Sequence, residues 1–137
     1  MNRYPDNNPK SLQGSKKVPL ELVPPTAIHY CAMAMEDGAR KYGPYNWRKI
    51  PVSVTPYYAA AKRHLDAFFD GEECASDSGV EHVAHAMACC AILLDAMACG
   101  VLIDDRPPKG ATAKIQAEYL KNKEVQLEAS NRVPNCN

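Results

Sequence analysis

The stretch "SGVEHVAHAMACCAILLDAMACG", residues 78–100, restricts the fold more than any other part of the chain. Ser78 and Glu81 stand at the capping-box spacing S-x-x-E, which satisfies free amides at a helix start. From Ala86 to Leu94 the run is almost wholly apolar, and Gly100 marks its end. The pattern predicts a helix closing at Cys99. So apolar a helix needs neighbours to cover it. Its apolar core "AMACCAILL" is about half the ~18–20 residues that cross a membrane. The helix opens with His82 and His85, and i and i+3 share a face. Two imidazoles on one face can converge on a metal, on a phosphate, or on each other and a buried carbonyl.

Two further helices are legible upstream. One starts near Thr26, with Ile28, Cys31, Met35, Ala39 and Tyr42 at helical spacing, and Gly43-Pro44 breaks it. A loop over Tyr45–Val54 leads to the next, with Thr55 as N-cap, Pro56 in its first turn and Gly71 closing it. Tyr58, Ala61, Leu65 and Phe68 are its expected apolar face. Residues 1–25 hold five prolines and read as an extended arm, pinned by Val18, Leu20, Leu22 and Val23. Ala111 to Ala129 reads as a weakly amphipathic helix suited to docking on a neighbouring subunit, followed by a tail to residue 137. No strand pattern or fixed-period repeat appears. The expectation is one all-α domain, a compact bundle of about four helices with a Pro-rich N-terminal arm.

Sixteen basic and sixteen acidic side chains cancel, so nothing steers the chain towards nucleic acid or an anionic membrane. The N-terminus has no apolar signal core, which points to a soluble, cytoplasmic protein. Six cysteines form no CxxC pair. They read as reduced core residues, with Cys136 in the tail.

Short connections make consecutive helices antiparallel, so depths can be compared at 1.5 Å per residue. Measured from the turn after the second helix, Glu36 lies about 15 Å down, His64 about 10 Å and His85 about 9 Å. His82, Glu72, Glu73 and Asp77 are expected at the mouth of the same pocket. Each has a plain structural reading too: lone histidines are usually core or surface groups, and the acidic turn can be merely solvated. Capping accounts for Glu81. Asp95, about ten residues beyond His85, is too far along the axis to share a pocket with it. Lys41, Tyr42, Asn46, Trp47 and Arg48 cluster at the exit of the helix that bears Glu36. Aromatic faces stack on bases and an asparagine amide can read a base edge; Lys41 and Arg63 can hold phosphate. The alternative for Trp47 is a buried anchor of the loop.

The blocks "LVPPTAIHYCAMAMEDGARKYGPYNW", "RHLDAFFDGEE" and "DSGVEHVAHAMACCAILLD" resemble the phage dATP/dGTP diphosphohydrolase family, from about Asn8 to Gly110. These are MazG-like pyrophosphohydrolases, called MazZ in phages whose DNA contains 2-aminoadenine. The resemblance implies an all-α homo-oligomer, a dimer or tetramer. It also implies two or three Mg²⁺ or Mn²⁺ ions, and cleavage of a deoxypurine nucleoside triphosphate to monophosphate and pyrophosphate. By position the family pattern falls on Glu36, Lys41, Tyr42, Asn46, Trp47, Arg63, His64, Gly71, Glu72, Asp77, Gly79, His82 and His85. Glu36, His64 and His85 are thereby expected in catalysis. Glu36, Glu72, Glu73, Asp77, His82 and His85 are the candidate metal ligands. The E-x-x-E pair of the wider MazG group is missing. Its nearest echoes are Asp70-x-x-Glu73 and His82-x-x-His85, so these histidines are open to three roles: ligating metal, contacting phosphate, or orienting carboxylates. A triphosphohydrolase of the HD type is the rival enzyme, but no histidine here is followed by aspartate. A non-hydrolytic nucleotide-binding adaptor is the rival outside enzymes.

Overall fold

The computed structural model describes residues 3–131, in two units, 3–105 and 106–131, each taken by itself. In chain order the first unit contains α1 (Pro9–Gly14), a 3-10 turn (Leu20–Leu22), α2 (Pro25–Tyr42), α3 (Asn46–Lys49), β1 (Val52–Ser53), α4 (Val54–Phe69), α5 (His82–Ala98) and β2 (Leu102–Ile103). The second holds α6 (Thr112–Asn131). Among the described residues the protein is all-α apart from an isolated bridge and the strands β1 and β2, which pair in parallel with Val52 opposite Leu102 and Ser53 opposite Ile103. That small ladder joins the start of α4 to the exit of α5.

The centre is α5, packed against both α2 and α4. Its contact with α2 is built from small side chains: Cys31 and Ala34 meet Ala84 and Ala88, with Met35, Val80, Met87 and Ala91 partly buried around them. Alanines let helix axes approach closely but bury little apolar area each. Among the described residues no large side chain is fully enclosed.

Most large residues point outwards, although Trp47 is buried as the anchor of its loop. Cys31, Met35 and Ala39 on α2 and Ala61 on α4 face inwards as expected, and the rest of both expected faces is corrected. Ile28 and Tyr42 on α2 are exposed, as are Tyr58, Leu65 and Phe68 on α4. The inward face of α4 instead runs Tyr57, Ala60, His64, Ala67. The arm is not simply extended, because α1 and the 3-10 turn lie within it. Asn8 caps α1 by accepting from the Lys10 amide, and Arg3 donates to Glu21 and to the carbonyls of Gly14 and Lys17. Val18, Leu20, Leu22 and Val23 are exposed and do not pin it. Of the cysteines, Cys31 is buried but Cys74, Cys90 and Cys99 are exposed; Cys136 lies outside the described residues.

The predicted start near Thr26 holds, with α2 beginning at Pro25, but the two starts predicted from caps move. The N-cap of α4 is Ser53, and it is the Asp105 carboxylate that accepts from the Thr55 amide, at 2.9 Å. The capping box fails at α5. That helix begins at His82 with no side-chain cap, because residues 74–81 form a small turn: Cys74 bridges Glu81, and the Ala75 amide donates to Val80 O. Gly79, at φ +70°, makes the reversal, a conformation that a side chain resists. Freed from capping, Ser78 turns its hydroxyl to His85. Among the described residues, no helix is long and apolar enough to cross a membrane. In α6 no residue is buried, and Ile115, Tyr119, Leu120, Val125 and Leu127 are all exposed.

Candidate active site

A groove of about 860 Å³ runs along α5, walled by α2, α3 and α4. His85, Ala88, Ile92 and Asp95 form its floor at three- and four-residue intervals, one stripe of α5. One end is rich in charge and imidazole, the other in aromatic rings.

At the charged end the Lys41 ammonium sits between two carboxylates, 2.8 Å from Asp37 Oδ2 and 3.0 Å from Asp77 Oδ2. Asp37 and Lys41 are i and i+4 on α2, while Asp77 comes from the turn before α5. The Lys41 hydrogen bond is the main cause that holds the Asp37 and Asp77 carboxyls below their ordinary range. Asp37 is buried; Glu36 beside it is exposed but still on the groove wall.

Three histidines lie against this end. His64 and His85 stack, with ring centres 4.7 Å apart and planes 13° from parallel. His64 Nδ1 lies 2.8 Å from His82 Nδ1, and His85 Nε2 lies 2.8 Å from Ser78 Oγ. One proton serves each contact, so His64 and His82 cannot both be cationic without two N–H groups facing each other. Burial pushes the His64 and His85 imidazoles below their ordinary value. His82 is buried, and its Nε2 has no aligned hydrogen bond although Glu72 Oε1 is 3.2 Å away. The geometry is proximity without alignment.

At the aromatic end Asp95 accepts three hydrogen bonds: from Trp47 Nε1 (2.7 Å), Arg48 Nε (2.8 Å) and Arg48 Nη2 (2.7 Å). Arg48 first, then Trp47, draws the Asp95 carboxyl down to about 2. The guanidinium of Arg48 lies over the Tyr45 ring at 4.7 Å. Tyr45 holds a left-handed backbone, φ 53°, which turns the chain into α3.

The groove thus gathers Glu36, Lys41, Tyr42, Asn46, Trp47, His64, Asp77 and His85 from the residues expected on sequence. It does not gather the rest. His82 is behind His64 rather than at the mouth, and Glu72 is on its far side. Glu73 lines a separate hollow of about 200 Å³ with Glu81, Tyr30 and Phe68. Arg63 is exposed and off the groove wall. Asp37, Ser78 and Asp95 are the residues that sequence reasoning missed. Asp37 had a signal, its i+4 spacing to Lys41. Asp95 is too far along α5 to touch His85, but the groove is long enough to include both.

A family model described as dATP/dGTP diphosphohydrolase, N-terminal, matches residues 7–106. The chain belongs to the dATP/dGTP diphosphohydrolase family. Neither curated proteins nor solved structures give a significant match. The span shared with the dATP/dGTP diphosphohydrolase family takes in every groove residue named above and stops before α6. The family's description therefore bears on the groove and not on the second unit.

Proposed function

We propose that the groove binds a deoxypurine nucleoside triphosphate and hydrolyses it to monophosphate and pyrophosphate. One observation carries the reading: a carboxylate- and histidine-lined end and an aromatic end share a single groove, with His85 and Asp95 about 15 Å apart along α5. An elongated ligand with an anionic head and a flat tail suits it.

A divalent cation belongs to this reading. Two carboxylates from separate elements, Asp37 and Asp77, already converge on one cationic seat, now taken by the Lys41 ammonium. Among the described residues no three His, Cys, Asp or Glu side chains converge as a closed ligand set. A Mg²⁺ or Mn²⁺ held here would rest on those two carboxylates, since Mg²⁺ commonly takes one or two and completes its shell with substrate and water. Asp37 and Asp77 would hold it, with Glu36 on the groove wall beside Asp37; Glu72, Glu73 and His82 are turned away from this seat. When bound, such an ion neutralises polyphosphate charge and acidifies a water.

The chain's own groups do the rest. Lys41, seated between Asp37 and Asp77, would turn its ammonium to the polyphosphate. His64, donating Nδ1–H to His82 Nδ1, keeps Nε2 basic to accept the proton of the attacking water. His82, protonated at Nε2 near Glu72, fixes that tautomer. His85, held by Ser78, stacks on His64 and sets its plane. Trp47 and Asn46 support the base. In a phage whose DNA carries 2-aminoadenine, the products would reshape the purine deoxynucleotide pool. The exposed apolar residues of α6 favour a homo-oligomer.

A product assay across the four dNTPs with Mg²⁺ and Mn²⁺ tests the reading. Pyrophosphate is expected. Tripolyphosphate would mean triphosphohydrolysis, and binding without product would mean an adaptor.

A further inference from the structure

We infer that Arg48, held in place by Asp95, distinguishes a 6-oxopurine from a 6-aminopurine at the aromatic end of the groove. The inference rests on the proposed reading of the groove as a deoxynucleotide site. With the polyphosphate at the Lys41 end, the base reaches Trp47, Arg48 and Asp95. The groups there are not equally free to read it. The Trp47 indole has a single N–H, and Asp95 takes it. Asn46 can present either its carbonyl or its amino group, so it accommodates both purines.

Arg48 cannot adapt in this way, because a guanidinium only donates. Its Nε and Nη2 are spent on the two Asp95 oxygens, and its plane rests over Tyr45. Among the described residues Nη1 has no hydrogen-bond partner, and Arg48 lines the groove. A 6-oxopurine offers two acceptors on one edge, O6 and N7; adenine replaces O6 with an amino donor. Donor would then face donor, and swinging Arg48 aside would break its bonds to Asp95. Asp95 is the positioning residue and Arg48 the reader.

The test is titration of wild type, Arg48→Gln and Asp95→Asn with dGTP, dITP, dATP and tripolyphosphate, alongside pyrophosphate release. Wild type should treat dITP like dGTP, because they share O6 and N7. Arg48→Gln should lose at least about fivefold in affinity for dGTP and dITP, while dATP is held or gains, since a glutamine amide pairs with N6 and N7 of adenine. Asp95→Asn should move the ratio the same way by less. Tripolyphosphate affinity should stay unchanged. All nucleotides are measured on one preparation, so a partly unfolded variant lowers every affinity together and leaves the ratio intact. Equal losses for dGTP, dITP and dATP would overturn the inference, as would dITP binding far worse than dGTP. Wild type that binds the nucleotides but releases no pyrophosphate would remove the hydrolase reading alone, leaving the ratio to decide Arg48. Wild type that binds no nucleotide would sink both.

Discussion

Glu36 and Asp37 are adjacent on α2, yet only Asp37 is buried and ion-paired, whereas Glu36 meets the groove from an exposed position. Glu36→Gln should abolish turnover and leave the helical spectrum intact, since the amide keeps size and loses charge. Asp37→Asn should lower turnover about 100-fold or more, and should also lower the Tm, because Lys41 loses its inner partner. Steady-state rates and melts on both variants separate the two; a wild-type rate in Glu36→Gln would take it out of the site. The histidines set a pH limit. Burial depresses the His64 and His85 imidazoles below 6.5, so between their folded values and 6.5 the unfolded chain binds more protons. Their contribution to stability is therefore complete above about pH 6.5 and is lost as pH falls through the folded values. Asp95, at about 2, stays ionised throughout that range. Urea midpoints should fall from pH 7.5 to pH 5.5, and less so in His64→Gln. An unchanged pH dependence in that variant would assign the effect elsewhere.

The termini of α4 and α5 are held by side chains and backbone from other segments. Asp105, just past β2, caps the start of α4, and the turn over residues 74–81 launches α5 without using the Glu81 carboxylate. Asp105→Ala should therefore lower the Tm by a few degrees, although it is 50 residues from the amide that it serves. Glu81→Ala should leave the Tm nearly unchanged, where a capping-box glutamate would show a loss of helix stability. Ser78→Ala should spare the helix and slow catalysis, because it releases His85. Melts and rates on the three variants check this assignment; a Glu81→Ala variant that melts like Asp105→Ala would restore the capping box.

At the scale of the molecule, the absence of any fully enclosed large side chain among the described residues leaves a single copy thinly stabilised. The apolar residues of α6, Ile115, Tyr119, Leu120, Val125 and Leu127, add exposed area that a second copy would cover. Sedimentation should show a dimer or tetramer, and the Tm should rise with protein concentration, because association stabilises only the folded state. Leu120→Lys with Leu127→Lys should shift the distribution to smaller species. A monomer at all concentrations would remove the oligomer from the proposal.

The sequence by itself determined the all-α class and the positions of the four long helices to within a few residues, because helical periodicity and Gly and Pro punctuation are local effects. It also brought Glu36, His64 and His85 towards one groove, but with the wrong sense for α2. Consecutive helices are not all antiparallel here: Lys41, near the end of α2, meets Asp77 just before α5, so α2 runs antiparallel to α5. Which side of each helix faces inwards was decided only by tertiary packing. Apolar periodicity put Tyr58, Leu65 and Phe68 inside α4, but close approach of α2 and α5 through alanines and Cys31 turned the smaller Ala60 and His64 inwards instead. Partners far apart in sequence were likewise invisible: Lys41 with Asp77, Arg48 and Trp47 with Asp95, and Thr55 with Asp105 are 36 to 50 residues apart. No local spacing records such pairs; they exist because α5 lies between α2 and α4 and carries both ends of the groove on one stripe.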